Sequence, residues 1–285
     1  MSDRGILSSL RYLFADVIGD DDTPTPFLPE GLPEAVVPVA SEAIHMLIEY
    51  QGPSYAQLYV DRLKRFIGRR GFDDAVFAEV ARLLAARMSY EDPIRIAQLT
   101  LAALDERPVP VNEVKKFRID ELVGALPAIV AEPVLDTLEW LGWLRLPVSI
   151  RFNAASRLGI RRLKIEAGLK RWRLFSVRYP KERAWVERWL HMIDRSLTKQ
   201  PNAAPVIVHT ADMISGYGDP YRQGIADWNA IMDGLAKPTF DGVLDLADLG
   251  SAVTEARAVV LPDPRQAALK RKIAEIRARA PAEPT

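Results

Sequence analysis

A chain of 285 residues with 48% hydrophobic and 27% charged side chains is long enough to bury a sizeable core, as one large domain or two ordinary ones. It contains no cysteine, which excludes disulfides, thiolate nucleophiles, cysteine-bound zinc and iron-sulfur clusters held by its own thiolates. Lys plus Arg and Asp plus Glu both number 38, no apolar run approaches the roughly 18 residues a bilayer span needs, and residues 1–19 lack a signal-peptide pattern, so a cytoplasmic protein is expected.

Taken in chain order, the predicted elements are helices nearly everywhere. Asp3 is a plausible N-cap for a stripe of Ile6, Leu7, Leu10, Leu13, Phe14 and Val17, ended by the stretch 19–29. Pro38 stands in the first turn of a helix through Ile44, Leu47 and Ile48. Gly52 and Pro53 then close that helix and open the next, which carries Tyr55, Leu58, Tyr59, Leu63, Phe66 and Ile67. Asp73 caps a run from Val76 to Met88, and Pro93 starts another through Ile94, Ala97, Leu101 and Leu104. Pro108 to Val114 predicts a short extended piece. Ile119–Leu126 and Pro133–Leu144 are two further helical candidates.

The spacing then predicts a helix from Ser156 to Val177, stopped by Pro180, and a second from Lys181 to Lys199 with Trp185 and Trp189 one turn apart. Asn202–Ser215 and Pro220–Leu235 form a pair hinged on Gly216-Tyr217-Gly218-Asp219, and beyond Lys237 the pattern weakens until a charged helix at Pro264–Ala280. The expected fold is all-α, an irregular multi-helix domain with short helical hairpins. Its expected parts are 1–37, an N-terminal helix and acidic connection, 38–236, the helical domain, and 237–285, a connection and last helix.

Charge is balanced globally and not locally. From Tyr12 to Asp61 there are nine acids and no base, whereas Arg145 to Arg188 holds thirteen bases against Glu166, Glu182 and Glu187, a net of 13 minus 3, or +10. A block of that size gives the molecule a dipole or is neutralised within the fold or by a partner. Arg157, Arg161, Arg162, Arg171 and Arg173 are therefore the candidate contacts for an acidic partner. The aromatics interleaved with them, Trp172, Phe175, Tyr179, Trp185 and Trp189, fall at helical period and read as core with arginines on the wet face rather than as a grip on nucleic acid.

Catalytic and metal-binding signals are sparse. The three histidines, His45, His191 and His209, are far apart in sequence, and no nucleophile elbow, Walker loop or dinucleotide fingerprint is present. Two turns remain as candidate structural turns or ligand sites. At Tyr90, Glu91 and Asp92 the carboxylates are an N-cap and its neighbour, or an acid/base pair. At Gly216, Gly218, Asp219 and Arg222 the glycines supply positive φ in a connection that Asp219 caps and Pro220 opens, or they present backbone N–H groups to an anion.

Three segments recur together in one known setting: Glu49-Tyr50-Gln51 through Tyr55 to Leu63, then Glu79 to Met88-Ser89-Tyr90-Glu91-Asp92-Pro93-Ile94-Arg95, then Gly216-Tyr217-Gly218-Asp219 with Arg222 and Gly224. In this order they resemble the C-terminal helical extension of indolepyruvate ferredoxin oxidoreductase beta-subunit-like proteins, over roughly Val36 to Leu235. Arg87 stands where that pattern leads one to expect an aromatic residue. The resemblance implies an assembly that decarboxylates an aryl-pyruvate on thiamine diphosphate, passes electrons through iron-sulfur clusters to ferredoxin and transfers the acyl group to coenzyme A. It also implies that this chain is a non-catalytic accessory or docking subunit, with no cofactor of its own and with thiamine diphosphate and the clusters on partner subunits. No catalytic residue is carried over by it. The alternatives are a free-standing helical interaction module, or a small acyl- or nucleotide-binding protein with its site beside the Gly216 turn.

Overall fold

A computed structural model describes residues 24–69, 72–106, 112–154 and 156–280. The helix expected at 3–17 and residues 108–111 of the expected extended piece lie outside them, while 112–114 of that piece fall in a strand. The rest is mostly helical, as the periodicity predicts. In chain order the elements are α1 (Val37–Tyr50), α2 (Pro53–Leu63), α3 (Asp74–Met88), α4 (Pro93–Glu106), β1 (Asn112–Arg118), α5 (Ile119–Gly124), α6 (Ala128–Trp140), β2 (Pro147–Asn153), α7 (Arg157–Gly168), α8 (Arg178–Lys199), α9 (Ala204–His209), α10 (Gly218–Ile231), α11 (Lys237–Asp241), α12 (Leu249–Ala258) and α13 (Ala267–Arg279). Short 3-10 segments occupy Leu169–Phe175 and Thr210–Met213, and a π-helical turn, Met232–Ala236, joins α10 to α11.

The helix starts follow local chemistry. Asp73 Oδ1 accepts from the Ala75 amide at the start of α3, Asp92 Oδ1 from the Arg95 amide at the start of α4, and Ser156 Oγ from the Gly159 amide at the start of α7. Each satisfies a donor that the first turn leaves unpaired. Three expectations shift. The helix expected over 156–177 gives way after Gly168 to the 3-10 segment, and Ser176 Oγ, accepting from the Tyr179 amide, turns the chain into α8 before Pro180 rather than after it. α6 begins at Ala128, five residues ahead of Pro133, which sits inside the helix. The segment 147–153, given no element by the helical reading, is a strand: Val148, Ile150 and Phe152 alternate at period 2, and β2 pairs antiparallel with β1, Phe117 opposite Val148 and Glu113 opposite Phe152. The buried rings of Phe117 and Phe152 meet edge to face at 6.3 Å.

The chain forms two compact units, interleaved rather than consecutive. The first takes in residues 41–62 and 88–184, so that most of α1 and α2, all of α4, the antiparallel pair of β1 and β2, and α7 belong to it, with α7 packed on α4. The second takes in 29–40, 63–87 and 185–285. Helical backbone runs unbroken from Gly218 to Asp241, through the boundary expected between 236 and 237. The second unit's core is indole and aliphatic. Trp185 and Trp189 stack with centroids 6.0 Å apart and Trp228 meets Trp185 edge-on at 5.1 Å. The Trp189 indole N–H donates to the Ile207 and Val208 carbonyls, and that of Trp228 donates to Thr210 Oγ1 at 3.0 Å. Arg87 does take an aromatic setting here, although not as an aromatic residue. Its guanidinium lies 5.0 Å over the Trp185 ring and donates to the Ile214 carbonyl at 2.8 Å. Among the described residues no helix is long and apolar enough to cross a membrane, and no group of His, Asp and Glu is placed to hold a metal ion.

Candidate functional site

In the first unit, residues that are far apart in the sequence converge on one guanidinium. Arg173, in the 3-10 segment, is only 1% exposed. It forks onto the Asp92 carboxylate, Nε to Oδ2 at 2.7 Å and Nη2 to Oδ1 at 3.1 Å, while Nη1 donates to the Tyr50 carbonyl at 2.9 Å and to Gln51 Oε1 at 3.1 Å. Its plane lies 3.8 Å from the centroid of the Tyr50 ring. A planar fork with five donors suits this task, because it satisfies a carboxylate and a helix C-terminus together. Arg173 thereby ties the end of α1 to the start of α4.

The turn from Met88 to Asp92 is held from every side. The Tyr55 hydroxyl donates to the Met88 carbonyl at 2.9 Å, the Tyr50 hydroxyl to the Tyr90 carbonyl at 3.2 Å, and Arg178 Nη1 to the Glu91 carbonyl at 2.8 Å. Arg95 pairs with Glu49 at 3.0 Å, and Arg178 lies 4.6 Å over the Tyr90 ring. The Tyr90 hydroxyl itself is buried and has no hydrogen-bond partner among the described residues. Burial raises the phenol pKa of Tyr50, Tyr55 and Tyr90 well above the ordinary tyrosine value, with like charges on neighbouring groups adding to it. For Arg173, burial alone would lower the pKa, but Tyr50 and Asp92 beside it outweigh that and hold it raised.

The geometry thus assigns Tyr90 and Asp92 to a locked joint. Asp92 is both N-cap and ion-pair partner: its buried carboxylate accepts three hydrogen bonds, one from the Arg95 amide and two from Arg173, which is the part of a structural anchor. Glu91 contributes its carbonyl to the joint. Arg173, grouped by sequence with the partner-contact arginines, is removed from that set because its guanidinium is sealed among Asp92, Tyr50 and Gln51. Helical spacing concealed this: the segment leaves the α-helical period at Gly168, so the face each later residue occupies changes. Tyr50 and Gln51, which the sequence marks only through the resemblance, and Tyr55, expected on the apolar stripe of its helix, are the partners of the joint. Their clustering with the Tyr90-Glu91-Asp92 run was the available signal.

The remaining basic candidates are on the surface. Arg157, Arg161 and Arg162 of α7 are exposed. Arg162 bonds Glu166 at 2.6 Å one turn on, whereas Arg157 and Arg161 have no ion-pair partner among the described residues. The side chain of Arg171 lies outside the described residues. Thirteen of the eighteen exposed large apolar side chains among the described residues fall between Val114 and Phe175, including Ile129, Trp140, Leu158, Ile165 and Trp172. On α7, Leu163 is buried, while Leu158 and Ile165, seven residues apart, share the exposed face, and Leu169 just beyond the helix is exposed as well. Trp172 and Phe175, expected in the core, are exposed; Tyr179, Trp185 and Trp189 are buried as expected.

The second turn lies in the second unit. Gly216 and Gly218 have φ of +68° and +77°, the left-handed region that favours glycine. Tyr217 is the N-cap of α10, so Asp219 sits within the first turn instead of capping it, and its exposed carboxylate accepts from Arg222 Nη2 at 2.8 Å. Gly224 has a different reason to be glycine, since a Cβ there would stand 2.2 Å from the Met213 carbonyl oxygen.

The class that fold and site define is a mostly helical protein with a small two-stranded antiparallel sheet, whose named polar residues lock a helix joint. The profile of a family of unknown function, DUF6537, matches residues 36–234, well over half of the chain, and the protein belongs to that family. No curated protein and no solved structure matches it.

Proposed function

We propose that this protein is a non-catalytic docking subunit of the cytoplasm, and that the face carried by residues 114–175 is where its protein partner sits. The single observation behind the reading is the concentration there of exposed aromatic and aliphatic side chains, flanked on α7 by the unpaired Arg157 and Arg161. Large exposed apolar patches mark interaction sites, and Trp and Arg are the residue types that dominate interface energetics. Basic charge on that rim favours an acidic partner surface and speeds encounter with it. The sequence resemblance supports a particular assembly, a 2-oxoacid:ferredoxin oxidoreductase whose other subunits carry thiamine diphosphate and iron-sulfur clusters.

The test is to purify the full chain from its own cells and ask what accompanies it. Large subunits containing thiamine diphosphate and iron-sulfur clusters support the reading, and Trp172→Ala or the pair Arg161→Glu and Arg162→Glu should then weaken the association, with the charge reversal also flattening its salt dependence. A complex indifferent to all of these substitutions would move the interface elsewhere. A chain that purifies alone, or with proteins holding neither cofactor, would remove the oxidoreductase assignment.

A further inference from the structure

The second unit contains a pocket of about 430 Å3, within the usual size for a small-molecule site. Its walls come from the 3-10 segment Thr210–Met213, from α10, and from α12 with the residues just after it. Two of the side chains lining it have bonding capacity that the protein does not use.

Asp227 is 2% exposed. Its Oδ1 accepts from Gln223 Nε2 at 2.8 Å and Gln266 Nε2 at 2.7 Å, but its Oδ2 is buried and accepts from nothing. A buried carboxylate oxygen without a donor is costly, and such atoms in native structures call for a reason. The carboxylate is held firmly in this condition. Gln223 also donates to the Asp263 carbonyl at 3.0 Å, and Gln266 is the one described non-glycine residue at positive φ, +55°. Backbone strain of this kind persists where the surroundings over-determine it.

Arg257, one helix away on α12, is half-buried and makes no hydrogen bond or ion pair among the described residues. Loss of solvation lowers its pKa, opposed by the Asp212 carboxylate on the rim. The pocket thus offers an unmet acceptor and an unmet cationic donor, and Met213, Ala258 and Val260 supply apolar wall in the same lining. Gly224 keeps α10 against the Met213 backbone, which fixes that wall.

We propose that this pocket binds a small zwitterion of the α-amino acid class with an aliphatic side chain, its ammonium group on Asp227, its carboxylate on Arg257 and its side chain against Met213, Ala258 and Val260. A simple anion would leave Asp227 unpaired and facing like charge, and a simple amine would leave Arg257 unpaired; only a ligand carrying both charges meets both needs. No sequence motif marked Asp227 or Arg257, because the two stand on different helices, thirty residues apart. The site does not depend on the docking face of the other unit, so either assignment can fail without the other.

The experiment is calorimetric titration of the full chain with L-leucine, with 4-methylpentanoate, which lacks the ammonium group, and with isopentylamine, which lacks the carboxylate. L-Leucine should bind saturably and each analogue about tenfold or more weakly. Asp227→Asn should weaken L-leucine but not 4-methylpentanoate, from which it removes a like charge, and Arg257→Gln should weaken L-leucine but not isopentylamine, for the same reason. Absence of L-leucine binding at millimolar concentration, an analogue that binds as tightly as L-leucine, or L-leucine affinity unchanged in the variants would overturn the proposal. If circular dichroism shows that Asp227→Asn does not fold, Arg257→Gln decides alone, since its side chain has no hydrogen bond to lose.

Discussion

The two units solve the same problem, burying the ends of helices, with different chemistry. The first closes around a charged joint in which Arg173 pairs with Asp92 and the hydroxyls of Tyr50 and Tyr55 bond the backbone of the 88–92 turn, the Tyr90 hydroxyl staying unbonded among the described residues. The second closes around Trp185, Trp189 and Trp228, whose indoles do most of the filling; their N–H bonds go to neutral backbone and hydroxyl groups, and Arg87 and Arg188 lie over the ring faces of Trp185 and Trp228. A charged joint is specific, because each partner demands the other at a fixed place, but it gains little net stability after desolvation. An aromatic core gains stability from area and packing and tolerates imperfect polar geometry, as the buried and unpartnered Trp185 indole N–H illustrates.

The largest expected effect tests that contrast directly. Asp92→Ala leaves the Arg173 guanidinium buried and unpaired and removes the α4 cap, and should destabilise by about 3–5 kcal/mol in denaturant unfolding. The double variant Asp92→Leu with Arg173→Met should recover much of that loss, since apolar groups of similar volume replace the pair. Trp228→Ala in the second unit should cost a similar 3–5 kcal/mol through transfer and cavity terms, and no single second substitution should restore it. A double variant as unstable as Asp92→Ala would mean that the ion pair and its hydrogen bonds contribute net stability that packing cannot replace.

Alkaline pH should separate the units next. Burial raises the phenol pKa of Tyr50, Tyr55 and Tyr90 in the folded chain. Their contribution to stability is therefore fully present below the unfolded tyrosine value, about pH 10, and is lost as pH rises through the higher folded values. Hydrogen exchange as the pH is raised past 10 should show amides of the 88–92 turn losing protection before those around Trp189. Free titration of these phenols near pH 10 with the fold intact would contradict the tight joint.

Smaller effects belong to the Gly216–Gly224 region. Gly224→Ala forces a methyl group against the Met213 carbonyl and should cost about 1–3 kcal/mol, with Met213 displaced from the pocket wall. Gly216→Ala meets no atom within 4 Å, so only the left-handed backbone is penalised, about 1 kcal/mol. Arg222→Ala, losing one surface pair to Asp219, should stay within about 0.5 kcal/mol. If Arg222 proved more costly than Gly224, the turn and not the close helix approach would be what organises this region.

What the sequence determined by itself was local. Helical period, Pro38, Pro53 and Pro93 in first turns, caps at Asp73 and Asp92, the helix start at Ser156, and glycines at the Gly216 turn all act within a few residues of themselves, and each is where the pattern predicts. The strand at 147–153 was also legible, in the alternation of Val148, Ile150 and Phe152, but only its pairing with β1 distinguishes it from a loop. Tertiary structure alone decided where charge and aromatic surface would face. Arg173 and Arg161 look alike in sequence, yet one lies sealed against Asp92, 81 residues away, and the other stands in water. Trp172 and Trp189 likewise part company, one exposed and one buried. The pocket of Asp227 and Arg257 belongs to the same class. A side chain's burial and its unmet hydrogen bonds are set by what the rest of the chain brings beside it, and that is long-range information which no local period or spacing carries.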